Sequence, residues 1–260
     1  SYFGGALAEA GHDVTLLIRN RAHRAAIREK GLILIRDGVE ARIEAHVVDA
    51  EAAAEAGIAD MVIVFTKTGA TRVALQAALP VIGPQTRLVI VQNGLGNAAV
   101  LGEFVPMDRV IYGTTMAPGD IVGDGVVSTH GAHVTQFCGA GTDPVTAEMA
   151  DQLASMLSGA GIETRVNPDV DRVIWAKVSF NCAMNSLCAL LGMTPGTLLD
   201  SDETKALVMA TVMEGCDVAA SVGVQVDREA VRQTLEMVHR EHRDHIPSML
   251  VDFRNHRPTE

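Results

Sequence analysis

Three polar residues recur at four-residue intervals within an otherwise apolar stretch: Lys177, Asn181 and Asn185. On a helix of 3.6 residues per turn this spacing confines them to about 80° of one face. Around them run Val170, Val173, Ile174, Trp175, Val178, Phe180, Met184, Leu187 and Leu191, so a helix over 168–191 would be apolar on almost every side. An ammonium and two amides inside such a helix are costly unless they find partners or line a polar cleft. Two readings follow. The stripe is either a hydrogen-bonded network joining two domains, or a substrate-facing face in which the ammonium donates a proton and the amides orient the reacting molecule.

A second set of candidates lies at strand ends. Arg19, with Arg21 and Arg24 close behind, follows the apolar run Asp13-Val14-Thr15-Leu16-Leu17-Ile18. In a dinucleotide-binding unit that prefers NAD, an acidic residue there binds the ribose hydroxyls. A guanidinium instead grips a 2′-phosphate through charge-assisted hydrogen bonds, which points to NADP(H); the competing reading is a solvated basic loop. Thr66-Lys67-Thr68 and Gln92-Asn93-Gly94-Leu95-Gly96-Asn97 follow two further strands. The carboxyl ends of strands are where open α/β sheets bind ligands, and Gly94 and Gly96 would let backbone approach a cofactor, although each loop also reads as a plain turn. Gly4-Gly5 suits either the end of a dinucleotide-binding turn or close helix–sheet packing, and no G-x-G-x-x-G is present.

The elements that must position these residues alternate through the first half. Helical patterns at 2–10 (closed by Gly11), 21–30, 50–57, 69–79, 97–104 and 145–160 separate β-rich runs at 13–18, 32–35, 42–48, 61–66, 87–92, 110–114 and 162–166. A hairpin-like stretch covers 121–137. From Pro168 onward only helical segments follow, at 168–191, 201–222 and 227–243, with Asn167-Pro168 as a start signal, Gly192 as a stop, and Asp200 with Glu203 resembling a capping box. The fold class expected is α/β: a Rossmann-type doubly wound sheet over 1–166, then an all-helical domain over 167–260.

Composition narrows the function. Lys and Arg number 21 against 32 Asp and Glu, a net charge of −11, and aromatics make up 3%. Such a chain lacks the basic face and stacking platforms of a nucleic-acid binder. Polar side chains break every apolar run before it reaches membrane-span length, so no membrane partner is expected. The four cysteines show no CxxC spacing, and Cys182 and Cys188 read as small buried hydrophobes, which fits a reduced, cytoplasmic compartment. The histidines near His239-Arg240-Glu241-His242-Arg243 read as a solvated helix face, and no metal site is expected.

Taken in order, Ser1-Tyr2-Phe3-Gly4, Val91-Gln92-Asn93-Gly94-Leu95-Gly96-Asn97, Lys177-x-x-x-Asn181-x-x-x-Asn185, Ser248-Met249-Leu250 and Arg257-Pro258-Thr259-Glu260 resemble the ketopantoate reductase family over practically the whole chain. The resemblance implies a Rossmann domain, a helical domain and an active site between them, with NADPH-dependent reduction of 2-dehydropantoate to (R)-pantoate. It assigns Lys177 as proton donor and Glu260 as its acidic partner. Asn181, Asn185, Ser248 and Asn93 match substrate-binding positions; Arg19, Lys67 and Asn93 match cofactor positions. The family's first strand and Gly-rich turn would precede Ser1, and further helices would follow Glu260, so both ends read as cut from something longer. A small-molecule 2-oxo acid is the expected partner, with a homodimer left open. The competing functions are reduction of another 2-oxo acid and a catalytically silent dinucleotide sensor.

Overall fold

The computed structural model describes residues 1–131 and 133–259, and these divide into two compact units: Ser1–Gln92 with Gly96–Pro168, and Asn93–Leu95 with the residues from Asp169 onward.

In the first unit, helix α1 (Tyr2–Glu9) leads into strand β1 (Thr15–Ile18) and helix α2 (Arg21–Lys30). Strands β2 (Leu32–Arg36), β3 (Val39–Ile43), β4 (His46–Asp49) and β5 (Ala59–Val64) follow. Next come α3 (Thr71–Ala78), β6 (Ile82–Ile90), α4 (Asn97–Leu101) and β7 (Val110–Thr115). The unit closes with β8 (Asp120–Gly123), β9 (Val126–Thr129), β10 (Thr135–Gly139), α5 (Pro144–Gly159) and β11 (Thr164–Val166). Strands β5, β6 and β7 run parallel within a five-stranded sheet of order β11-β10-β7-β6-β5, and β1 pairs in parallel with β4. At the end of β6, Leu88 and Ile90 are buried in one cluster with Val64, Leu75 and Val110, while Val89 and, just past the strand, Val91 are buried in another with Ile111, Phe137 and Leu153. Both faces of the chain are therefore covered here, which is why Leu88-Val89-Ile90-Val91 is an unbroken apolar run.

Several expectations are corrected here. The run 42–48 is two strands rather than one, because β3 turns back antiparallel on β2 before β4 joins β1. The segment 50–57 is a 3₁₀-helix (Ala50–Ala56), not an α-helix. Of the hairpin-like stretch, only β8 and β9 form a hairpin; β10 pairs antiparallel with β7. Gly4 and Gly5 lie inside α1, where a Cβ would collide with Leu16 and Leu32, so they serve close helix–sheet packing.

The second unit is helical: α6 (Val170–Leu191), α7 (Pro195–Asp200), α8 (Asp202–Ser221), α9 (Arg228–Glu241) and α10 (Ser248–Arg254). Its core joins Ala183, Met184 and Cys188 of α6 to Leu198 and Leu199 of α7, Val208 and Val212 of α8, and Val231 and Leu235 of α9. At the crossing of α6 and α8, a Cβ on Gly215 would lie 2.7 Å from Ser179 Oγ and 2.8 Å from its Cβ. Only a residue without a side chain permits that approach.

Local signals in this unit also need correction. Helix α6 starts at Val170 after Asp169, and the Asn167 amide donates to Gln136 Oε1 at 2.9 Å instead of capping it. Ser201, not Asp200, caps α8, accepting from Thr204 N, because Asp200 is held by Arg243 at 2.7 Å and His239 at 2.9 Å. Cys188 is buried as expected, whereas Cys182 is exposed. Contrary to the sequence expectation, α6 is by length and composition apolar enough to cross a membrane; in this unit it packs against α8 and α10.

Candidate functional site

The α/β unit presents its candidate residues where parallel strands end. Arg19 directly follows β1 and is exposed, and Asn20 caps α2 by accepting from His23 N at 3.1 Å. Arg21 is also exposed, but Arg24 turns back: its Nη1 donates to the Ile18 carbonyl at 2.6 Å and to the Arg19 carbonyl at 3.4 Å, and its Nη2 pairs with Asp49. The sequence grouped Arg19, Arg21 and Arg24 as one basic cluster, whereas the structure commits Arg24 to backbone and carboxylate. A shallow cavity of ≈ 360 Å³ is lined by Arg21, Arg24, Ala25, Arg28 and Glu29. A larger one, ≈ 470 Å³, includes Gly31, Arg42, Glu44 and His46, at the amino end of β4 and thus away from the strand ends that bind ligands in such sheets.

Lys67 is exposed after β5, and the loop after β6 carries Asn93, also exposed. These loops are tied by Gln92, a residue to which sequence reasoning gave no role. Its Nε2 donates to Thr66 Oγ1 at 3.3 Å, and its Oε1 accepts from Thr71 Oγ1 at 3.2 Å. Asn97, buried at the start of α4, donates to the Gln92 carbonyl at 3.4 Å and closes the turn. Gly94 (φ +99°) and Gly96 (φ +78°) occupy left-handed backbone regions, and this requirement explains the two glycines.

In the helical unit, Lys177, Asn181 and Asn185 sit on α6 as the spacing predicts, all half-buried. Burial pushes the Lys177 ammonium down from 10.5 to about 8, because desolvation penalises its charged form. A lysine in that range can be charged at neutral pH and still give up its proton readily, as general acid catalysis requires. Burial pushes the Cys188 thiol up to about 11, which leaves it inert.

Ser248 opens α10 and is exposed; α10 packs against α6, and Arg254 Nη2 at its far end donates to the Gly192 carbonyl at 3.2 Å. A cation at the carboxyl end of α6 complements that helix's dipole and fixes α10 along it. Asp252 is buried. It pairs with Arg257 Nε at 3.1 Å, and its carbonyl accepts from Arg257 N at 2.9 Å, anchoring the start of Arg257-Pro258-Thr259. Glu260 lies outside the described residues. Among the described residues no group of three or more His, Cys, Asp or Glu could hold a metal ion.

Comparison with known proteins bears on both units. The family model described as ketopantoate reductase PanE/ApbA matches residues 1–140, and its C-terminal counterpart matches residues 169–260. The 2-dehydropantoate 2-reductase of Streptococcus pyogenes serotype M1 is 30% identical over 259 residues, covering 99% of this chain and 83% of its own. That of Pyrococcus abyssi is 33% identical over 266 residues, covering 100% and 83%. Among solved structures, D-mandelate dehydrogenase with NADH and anilino(oxo)acetate superposes with a TM-score of 0.91 at 28% identity, covering 99% of this chain and 83% of that one. The 2-dehydropantoate 2-reductase from Geobacter metallireducens gives 0.89 at 27%, covering 99% and 84%.

Proposed function

Because this chain belongs to the ketopantoate reductase family, we propose that it reduces 2-dehydropantoate to (R)-pantoate with NADPH, Lys177 donating the proton. The observation that carries this reading is the stripe Lys177–Asn181–Asn185 on α6, with the lysine's acidity raised by burial. The donor set fits a phosphorylated dinucleotide: exposed Arg19 and Lys67 follow parallel strands β1 and β5 in a chain of net charge −11. The bound dinucleotide would supply hydride from C4 of its nicotinamide. Lys177 then answers the charge that develops on the substrate's carbonyl oxygen, first as an ammonium and then by giving up a proton at Nζ. Asn181, Asn185, Ser248 and Asn93 orient the 2-oxo acid, Arg19 grips the 2′-phosphate, Lys67 and Asn93 serve the cofactor, and Glu260 supports the lysine. The proposed setting is cytoplasmic, on the path to pantothenate.

The likeness to D-mandelate dehydrogenase favours a second reading, reduction of a different 2-oxo acid. One experiment separates them. Nicotinamide absorbance is followed with purified protein, NADPH, and either 2-dehydropantoate or an aryl 2-oxo acid; a higher kcat/KM for 2-dehydropantoate is expected. A preference for the aryl acid would overturn the substrate assignment while leaving the chemistry intact.

A further inference from the structure

The strand register brings an acidic side chain beside Arg19, the residue proposed to read the cofactor's 2′-phosphate. Strands β1 and β4 run parallel with Ile18 opposite Asp49, so they end side by side, and Asp49 stands next to the Arg19 loop. In NAD-preferring units an acidic residue at the Arg19 position accepts from the ribose hydroxyls, and a carboxylate on the adjacent strand, close enough to face the same group, would likewise repel a 2′-phosphate. Here each oxygen of that carboxylate has a partner. Its Oδ1 accepts from Glu51 N at 3.2 Å, capping the 3₁₀-helix, and its Oδ2 pairs with Arg24, whose side chain is 12% exposed. The same guanidinium holds the last carbonyl of β1, that of Ile18, and the Arg19 carbonyl just beyond it. One turn further along α2, Arg28 Nε and Nη2 donate to the Val47 carbonyl at 3.3 and 3.2 Å. Of the four arginines between 19 and 28, Arg24 and Arg28 thus donate to carbonyls of the chain around β1 and β4, Arg24 alone being half-buried, whereas Arg19 and Arg21 are exposed beside them.

We infer that the Arg24–Asp49 ion pair is a specificity device for the cofactor's 2′-phosphate. Arg24 is a positioning residue: it neutralises the one carboxylate at the end of β4 and holds the backbone from which Arg19 projects. Released from Arg24, Asp49 would present an unpaired charge and free lone pairs to the ribose, favouring NADH and opposing NADPH. This rests on the assignment of Arg19 to the 2′-phosphate, and the test keeps the two apart.

The test is steady-state kcat and KM for NADPH and for NADH with the wild type, Arg19→Ala, Arg24→Gln, Arg24→Lys, Asp49→Asn and the double variant Arg24→Gln/Asp49→Asn, each with its melting temperature. Arg24→Gln should lower the NADPH/NADH ratio of kcat/KM by about tenfold or more, mainly through the KM for NADPH. Arg24→Lys should retain most of the ratio. Adding Asp49→Asn to Arg24→Gln should restore it, because the repelling carboxylate is gone; a merely structural role would not be rescued in this way. Asp49→Asn alone, which keeps Arg24, should leave the ratio unchanged or raise it. Equal losses for both cofactors in Arg24→Gln, no rescue in the double variant, or a fall in the ratio in Asp49→Asn would overturn the inference. If Arg19→Ala itself leaves the ratio unchanged, the phosphate assignment falls, and this inference with it.

Discussion

The pH dependence of turnover follows from the burial of Lys177. The gap between the ordinary lysine value of 10.5 and about 8 corresponds to about 3 kcal/mol of differential interaction between the charged and neutral forms. In the proposed role of proton donor Lys177 must be an ammonium, so kcat/KM for reduction should hold near pH 7 and descend through pH 8, with a loss of about tenfold by pH 9. An unperturbed lysine would keep the rate level across that range. The same burial has a stability consequence of fixed sign. Between pH 8 and 10.5 the unfolded chain holds a proton that the folded chain has lost, so stability rises with pH there and is depressed below it. Lys177→Met should therefore raise stability at pH 7 by up to about 3 kcal/mol, with the advantage fading towards pH 10.5, while cutting turnover by about 10²–10⁴. The assays are pH-rate profiles with saturating cofactor and urea denaturation at pH 7 and 10.5. A descending limb near 10, or a Lys177→Met variant that turns over within a few-fold of wild type, would refute the assignment.

Three further outcomes are expected. Gly215→Ala should cost about 1–3 kcal/mol in chemical denaturation, because its methyl meets Ser179 where α6 and α8 cross; Ser179→Gly in the same chain should recover part of it. His23 is buried, its Nδ1 accepts from Gly125 N at 2.9 Å, and desolvation holds it below the ordinary histidine value of 6.5. Its contribution is therefore present above pH 6.5 and lost as pH falls below it, so thermal melts should show the wild type losing more stability on acidification than His23→Gln. Arg257→Ala should reduce turnover far more than melting temperature, since its pair with Asp252 is half exposed and anchors the segment leading to Glu260; a large drop in melting temperature at unchanged turnover would reverse that reading.

Local periodicity carried much of the reading. The alternation of strand and helix, the apolar face of α6 and the Lys177–Asn181–Asn185 stripe depend only on residues a few positions apart, and helix or strand periods express themselves at that range. The glycine stop at Gly192 and the turn glycines Gly94 and Gly96 were legible for the same reason, because a left-handed backbone excludes most other residues. What the sequence left undecided involves partners far apart along the chain. Asp200 looked like a helix cap until Arg243, 43 residues on, claimed its carboxylate and left Ser201 to cap α8. Gln92 was a turn residue until Thr66 and Thr71 came within its reach. The basic cluster at Arg19–Arg24 was visible as composition, but Asp49 enters only because β1 and β4 pair in parallel with Ile18 opposite it. Residue types and local spacing thus determined which chemistry the chain can offer. Strand register and helix crossing decided which of those charges are spent on the fold and which are left exposed, because only tertiary pairing brings together groups that the chain itself keeps apart.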